Sequence, residues 1–263
     1  MYRVEFIGLP GAGKSTVRKA LIDRLRAASG DGRYFTVEEA YLHGARLNMD
    51  KVFRYFLKLL PGSAAIKLSN KLVNRSLMHF EAQNRFLANY GKALGAFFSS
   101  HVFNEMSIDD RQSVISAFLE VGAFYESVNA LSFKNPVVFF EEGLVQKSLM
   151  FVSPSGSYGK DMVNLETYLD EIPLPEILIY VKSDIETCSR RMLSRPEGLT
   201  RRLKNADAAL ICEFLKKTDR HLQEVASRAS GNTSCAVIEI NNNGKLEDNI
   251  DCLERRMREI TKA

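Results

Sequence analysis

Cysteine and histidine are scarce in this chain of 263 residues, with four of each, and tryptophan is absent. The cysteines are widely spaced with no CxxC pair, and the histidines show no metal-ligand spacing. These residues are Cys188, Cys212, Cys235 and Cys252, and His43, His79, His101 and His221. We therefore expect reduced thiols and histidines that bind no metal.

Long apolar runs are also missing, since no stretch approaches the roughly 18 residues that a membrane span needs. The first strand candidate begins almost at the N-terminus and leaves no room for a secretory signal, which predicts a cytoplasmic protein. Lys and Arg number 36 against 32 Asp and Glu, so the net charge is only +4 and a nucleic-acid polymer is not an expected partner. The length suits one α/β domain over 1–263.

A complete phosphate-binding loop, the GxxxxGK[ST] or Walker A pattern, follows an apolar strand candidate over 3–7. Helical spacing continues after it as far as Gly30. In this strand–loop–helix context the glycines let backbone N–H groups converge on phosphates, Lys14 reaches the β and γ oxygens, and Ser15 can ligate Mg²⁺. The predicted nucleotide-binding residues are Gly8, Pro10, Gly11, Ala12, Gly13, Lys14, Ser15 and Thr16.

Five short apolar segments alternate with helical patterns. They cover 3–7, 34–37, 136–140, 177–181 and 235–240. Nearly continuous apolar character predicts strands buried on both faces, and the helices between them predict a parallel sheet whose ligands bind at the carboxyl ends of the strands. The long region 44–134, between the second and third strands, reads as a helical insert on the acceptor side.

Two acids, Glu141 and Glu142, directly follow the third strand. A carboxylate at this Walker B position can orient Mg²⁺ or its waters, so Glu141 is a predicted metal residue. A solvated strand end is the alternative for either acid. A GTPase would need an NKxD motif, and the stretch at 70–73 lacks the aspartate, which disfavours that class.

Arginines are dense after the fourth strand, with five between positions 190 and 202. Arg191 and Arg195 are four residues apart and share a helical face, from which both could neutralise charge on a transferred phosphoryl group. We predict a closing lid over 190–205. An exposed basic helix end is the alternative.

Together these motifs resemble those of the phosphate-loop nucleoside and nucleotide kinases, typified by deoxynucleoside kinases and thymidylate kinase. The similarity rests on the phosphate loop, the strand end at Glu141, and the Arg191/Arg195 pair, which matches the RxxxR lid motif of that family. It implies the three-layer α/β fold of P-loop NTPases, a five-stranded parallel sheet in the order 2-3-1-4-5, and ATP with Mg²⁺.

The resemblance also implies a general-base carboxylate after strand two, where Glu38 and Glu39 stand. Because alternate strand residues face opposite ways, only one can enter the cleft, and we favour Glu39 because it lies further past the strand. The loop after the last strand is implied to lie near the adenine. Its residues are Asn241, Asn242 and Asn243.

The sequence departs from this family at Glu142, where relatives usually carry arginine. A negative charge there would repel an acceptor phosphate unless Arg85 or a lid arginine compensates, which favours a neutral hydroxyl acceptor. Arg85 resembles the arginine with which thymidylate kinases hold that phosphate, and surface charge on a helix is its alternative reading.

We therefore predict an ATP-dependent phosphotransferase acting on a nucleoside or nucleotide, with a sugar or other metabolite as the alternative acceptor. The alternative class is an NTP-hydrolysing switch or assembly factor whose insert docks a protein or membrane through Lys51, Arg54 and Lys58. The lid arginines favour the kinase, because they suit phosphoryl transfer under a cover. A homodimer stays open.

Overall fold

The computed structural model describes residues 1–30, 32–41, 77–129, 135–154, 159–194, 199, 203–204 and 206–261. The strands are β1 (Tyr2–Gly8), β2 (Tyr34–Thr36), β3 (Val137–Phe140), β4 (Ile177–Lys182) and β5 (Ala236–Asn241). The helices are α1 (Lys14–Ser29), α2 (Leu77–Phe98), α3 (His101–Glu105), α4 (Ile108–Asn129), α5 (Leu144–Lys147), α6 (Met162–Glu171), α7 (Ile185–Leu193), α8 (Ala208–Ser230) and α9 (Leu246–Thr261), and a 3₁₀ turn covers Ser148–Phe151.

The five strands form one parallel sheet in the order β2-β3-β1-β4-β5, which confirms the predicted fold class and order. The central strand β1 pairs with β3 and β4, so that Val4 lies opposite Phe139 on one side and Ile177 on the other. All four residues of β3 are buried, as expected for a strand covered on both faces. The carboxyl ends of all strands therefore share one edge of the sheet.

Helices cover the sheet. Helix α1 packs against α9 and the first two strands, while α8 packs against α7, β1, β4 and β5. Between β2 and β3 in the chain, helices α2 and α4 pack on each other, and α2 also packs on α6. Phe97 of α2 joins these layers, since its ring centroid lies 4.9 Å from that of Phe118 and 5.1 Å from that of Phe151. Among the described residues, no helix combines the length and apolar character that crossing a bilayer requires.

The insert predicted over 44–134 is helical where it is described, from residue 77 to 129. Its earlier part, including the basic face at Lys51, Arg54 and Lys58, lies outside the described residues. So does most of the predicted lid after residue 194.

The end of β2 differs from the prediction. The strand stops at Thr36, and residues 37–41 are helical. Thr36 and Glu39 form a reciprocal capping box: the Thr36 N–H donates to Glu39 Oε2 (2.8 Å), and the Glu39 N–H donates to Thr36 Oγ1 (3.2 Å). Glu38 and Glu39 thus lie in the first turn of a helix, where the alternation of strand side chains does not apply.

Candidate active site

The phosphate loop joins β1 to α1 in a conformation that needs glycine. Gly11 and Gly13 have φ values of +86° and +90°. A Cβ on Gly11 would lie 2.7 Å from the Cys188 carbonyl oxygen, and one on Gly13 would lie 2.5 Å from Asn242 Nδ2. No side chain caps the start of α1, and its first turn contains no acid. The helix N-terminus therefore offers backbone N–H groups and partial positive charge to an anion.

Lys14 folds back over its own loop. Its Nζ donates hydrogen bonds to the carbonyl oxygens of Gly8 (2.9 Å) and Leu9 (3.3 Å). The ammonium must therefore leave these carbonyls before it can contact the phosphates of a nucleotide. Lys14 lies in the wall of the main cavity, so the space into which it would move is adjacent.

Glu141 lies beside Ser15, as expected for the two predicted metal residues. Its carboxylate accepts hydrogen bonds from Ser15 Oγ and, at 2.5 Å, from Arg18 Nη2. A hydroxyl and a carboxylate are oxygen ligands of the kind Mg²⁺ takes, with water and phosphate completing its octahedron. No group of three or more His, Cys, Asp or Glu side chains that could hold a metal ion occurs in the described part of the chain. The sequence analysis missed Arg18, because an arginine in a helix is not by itself a signal.

Glu142 is paired with a lysine. Its carboxylate lies 3.0 Å from Lys147 Nζ, on helix α5, and the Lys147 side chain is only 9% exposed. Arg85, one of the arginines considered for compensating this charge, lies with its Nε 3.8 Å from the buried carboxylate of Glu126. The charge inversion at position 142 is thus balanced by a residue five positions later, a spacing that no local pattern singles out.

Arg191 and Asn242 both contact the phosphate loop. Arg191 Nη1 donates to the Gly11 carbonyl (3.1 Å), and Asn242 Nδ2 donates to the Ala12 carbonyl (2.8 Å). The lid arginine at the start of the RxxxR motif is therefore already beside the loop, whereas Arg195 lies outside the described residues.

The other two asparagines of the β5 loop have different contacts. Asn243 Oδ1 accepts from Ser183 Oγ (2.9 Å) and from the Asp184 N–H (3.0 Å), while the Asn241 carbonyl accepts from Asn249 Nδ2 (2.9 Å). They fix the loop against α7 and α9, and so hold Asn242 at the phosphate loop.

Glu39 is held well away from the phosphate loop. Its carboxylate pairs with Arg26, whose Nη2 also donates to the Tyr34 carbonyl (2.8 Å). Arg26 is twelve residues beyond Lys14 in α1, or about 18 Å along the helix at about 1.5 Å per residue. Glu38 is half-buried, and no described side chain hydrogen-bonds or ion-pairs with it. The geometry thus removes the reason for preferring Glu39.

A cavity of about 640 Å³ opens between the phosphate loop and helix α5. The polar lining of the cavity comes from Lys14 and Ser15 of the loop and from Glu141, Glu142, Gln146 and Lys147. An apolar side is formed by Leu149, Met150, Leu203 and Phe214. Several described residues predicted for the site do not contribute to this lining, namely Gly8, Ala12, Glu38, Glu39, Arg85, Asn241, Asn242 and Asn243. The cavity has polar groups at the loop and an apolar wall, a combination typical of small-molecule sites.

Glu5 is a fully buried carboxyl beneath this cavity. Its Oε1 accepts from the Gln146 N–H (2.7 Å), and its Oε2 has no partner. A Cβ on Gly143 would overlap the carboxyl group, so glycine is required where the chain passes over it. Burial raises the pKa of Glu5 to about 8, against the lowering effects of the Gln146 and Val145 N–H groups and of Lys147.

We expect the Glu5→Gln substitution to change how stability depends on pH. Between about pH 4.5 and 8 the unfolded chain releases the Glu5 proton while the folded chain keeps it, so stability falls as pH rises, by up to about 1.4 kcal/mol per pH unit. Glutamine does not titrate in this range, so the variant does not lose this stability as pH rises. Urea unfolding from pH 5 to 8.5 should show a flatter profile for the variant and a growing advantage above pH 7. Parallel profiles would contradict a neutral Glu5 in the fold.

Neither a known protein family nor a curated protein sequence matches this chain. Solved structures of deoxyadenosine kinase from M. mycoides are similar to it. The structure with bound dATP is 11% identical, with 98% of this chain and 100% of that chain covered and a TM-score of 0.50. The structure with bound dCTP is 11% identical over 98% and 99% of the two chains, with a TM-score of 0.48. The structure with the products dCMP and a flexible dCDP is 13% identical over 98% and 99%, with a TM-score of 0.44.

At this identity the similarity establishes the fold. The alignment with the dATP complex covers nearly the whole of both chains, so the similarity extends over the whole fold. The chain therefore has the P-loop NTPase fold in the form found in a deoxynucleoside kinase.

Proposed function

We propose that this protein is an ATP-dependent kinase that transfers the γ-phosphate to a hydroxyl group of a small acceptor, with nucleosides as the first class. The observation that carries the proposal is the convergence of Lys14, the Ser15–Glu141 pair and Arg191 on one cavity at the carboxyl edge of the sheet. The deoxyadenosine kinase that shares the fold makes nucleosides the first acceptors to test.

In this proposal the loop N–H groups and Lys14 bind the β- and γ-phosphates. Ser15 and Glu141 would hold Mg²⁺, which supplies charge neutralisation on the phosphate oxygens. Arg191 leaves the Gly11 carbonyl and contacts the transferred phosphoryl group instead. Its positive charge there acts mainly in the transition state. The lid over 190–205 brings Arg195 to the same group and excludes water.

We assign the general base to Glu38 in place of Glu39. The Glu39 carboxylate is occupied by the capping box and by Arg26, whereas Glu38 has no such partner among the described residues. Both groups lie outside the described cavity lining, so the proposal requires the acceptor hydroxyl to reach Glu38 during transfer. Glu38 then accepts the proton of the attacking hydroxyl.

A neutral acceptor suits the polar side of the cavity. Glu142 faces the cavity, and its partner Lys147 already neutralises it. Arg85, the residue expected to hold an acceptor phosphate, is paired with Glu126 on α4. A nucleoside hydroxyl therefore enters without a need for a further cation, and the apolar wall at Leu203 and Phe214 suits a planar base.

The test is phosphoryl transfer by the purified protein from γ-labelled ATP–Mg²⁺ to separate panels of nucleosides, nucleoside monophosphates and sugars. We expect labelled nucleoside monophosphate to accumulate faster than free phosphate, and Lys14→Ala to abolish it. ATP hydrolysis without transfer to any panel would overturn the kinase in favour of the NTP-hydrolysing switch.

Replacing Arg191 by alanine should lower kcat about 10²-fold, with a smaller change in KM for ATP, because the guanidinium acts mainly on transition-state charge. Arg190→Ala is the matched control, since Arg190 is adjacent but exposed and, among the residues that the structure describes, donates to Thr187 alone. Steady-state kinetics separates the two. An unchanged kcat in Arg191→Ala would mean that this arginine is only a basic residue at a helix end, with no role in transfer.

A further inference from the structure

Gln146 holds both backbone groups of Gly8, the first glycine of the phosphate loop. Its side-chain Oε1 accepts from the Gly8 N–H (3.1 Å), and its Nε2 donates to the Gly8 carbonyl (3.2 Å). Only this orientation of the carboxamide satisfies both groups, because an N–H must meet an oxygen and a carbonyl must meet an N–H. Gln146 is 6% exposed, so water competes little for these hydrogen bonds.

The Gly8 carbonyl has two donors, and one of them must leave on nucleotide binding. Lys14 Nζ donates to the same oxygen at 2.9 Å, and this bond breaks when the ammonium moves to a phosphate. Gly8 is buried at the end of β1, where a carbonyl without a donor would destabilise the nucleotide-bound state. Gln146 Nε2 is the donor that stays.

Gln146 is itself fixed from below. Its backbone N–H donates to Glu5 Oε1 at 2.7 Å, within the buried carboxyl group described above. On its other side, Gly8 lies against β4, where a Cβ at that position would overlap the Val181 carbonyl oxygen, so a side chain would not fit. Glu5, Gln146 and Gly8 thus form a continuous buried connection from the centre of β1, through helix α5, to the phosphate loop.

We propose that Gln146 is a positioning residue for the nucleotide site, which keeps Gly8 in place and its carbonyl satisfied when Lys14 leaves it for a phosphate. The inference rests on the nucleotide site of the proposed function. It does not depend on transfer to an acceptor.

The test is the nucleotide affinity of Gln146→Met, a side chain of similar length that neither donates nor accepts strongly. Because the Gly8 carbonyl then lacks a donor only in the bound state, the dissociation constants for ATP–Mg²⁺ and ADP should rise about 10-fold or more. Gln223→Met is the matched control, since Gln223 is exposed on α8 and, within the described part of the chain, its side chain bonds to Asp219 alone. Calorimetry on folded protein makes the comparison. Affinity within about twofold of wild type for Gln146→Met would overturn the proposal.

A second measurement uses the wild-type protein, in case Gln146→Met does not fold. In ¹⁵N-labelled protein saturated with ADP, a Gln146 Nε2 proton should exchange slowly with solvent, because it remains bonded to Gly8. Free exchange of both protons in the ADP complex would overturn the positioning role.

The failures of the two proposals are distinguishable. Weakened ADP binding in Gln146→Met, in a protein that phosphorylates no acceptor, would support the positioning role and contradict the kinase. Unchanged ADP affinity in Gln146→Met, with normal nucleoside phosphorylation, would contradict the positioning role and support the kinase. A general loss of packing would lower stability in urea without a selective rise in the KM for ATP over the KM for the acceptor.

Discussion

Lys14→Ala is expected to lower kcat/KM for ATP by about 10³-fold while the protein stays folded. The substitution removes a full positive charge from the β- and γ-phosphates, and such preorganised donors contribute most where water is excluded. The free protein also loses two hydrogen bonds to loop carbonyls, at about 1 kcal/mol each, which leaves the fold intact. Calorimetry with ATP–Mg²⁺ and steady-state kinetics measure the two effects.

Lys19→Ala is the control for this result, because Lys19 is exposed on the same helix and does not belong to the cavity lining. It should bind ATP like the wild type. Wild-type ATP binding and turnover in a folded Lys14→Ala variant would show that this loop is not the nucleotide site. The proposed function would then lose its basis.

The parts of the site that sequence could predict are those with a local signature. The phosphate loop is one continuous stretch in which Gly11, Gly13 and Lys14 each have a fixed spatial role, so its pattern is nearly sufficient. Apolar strands separated by helices predict a parallel sheet, whereas the strand order came from the resemblance to phosphate-loop kinases. Glu141 was predictable from its place directly after a buried strand.

The residues that were missed depend on contacts between distant segments. Arg18 approaches Glu141 from another element of the fold, and Gln146 reaches Gly8 across a separation that no period in the sequence records. Lys147 lies near Glu142 in the chain but pairs with it only because α5 turns back over the sheet. Such pairings are set by tertiary packing, and a single sequence carries no local signal for them.

Glu39 is a different case, because its role in capping a helix is predictable from the local sequence. Thr36 and Glu39 have the T-x-x-E spacing of a capping box, which predicts a helix start at the point where the strand was expected to continue. The interpretation that gave weight to strand alternation overlooked this competing signal. The choice between Glu38 and Glu39 therefore depends on whether Glu39 follows the alternation of a strand or the capping box of a helix.

This distinction leads to opposite expected phenotypes for two neighbouring isosteric substitutions. Glu38→Gln should retain ATP binding and fold stability but lower transfer to the acceptor by about 10²- to 10⁴-fold, because the attacking hydroxyl loses its proton acceptor. Glu39→Gln should retain transfer but lower stability by about 1 kcal/mol, because the helix start and the Arg26 pair are weakened. Single-turnover assays, with the acceptor class that the transfer assay identifies as a substrate, measure the transfer rate. Urea unfolding measures the stability.

The reverse pattern, with transfer lost in Glu39→Gln and kept in Glu38→Gln, would return the base to Glu39 and require its release from Arg26 during the reaction. Arg26→Gln then gives an independent check, since freeing Glu39 should raise transfer if Glu39 is the base and leave it unchanged if Glu38 is. Full transfer in both glutamine variants would exclude a carboxylate base after β2. The site would then retain the groups that bind and polarise a triphosphate, but no group to activate a hydroxyl, which is the chemistry expected of an NTP-hydrolysing switch.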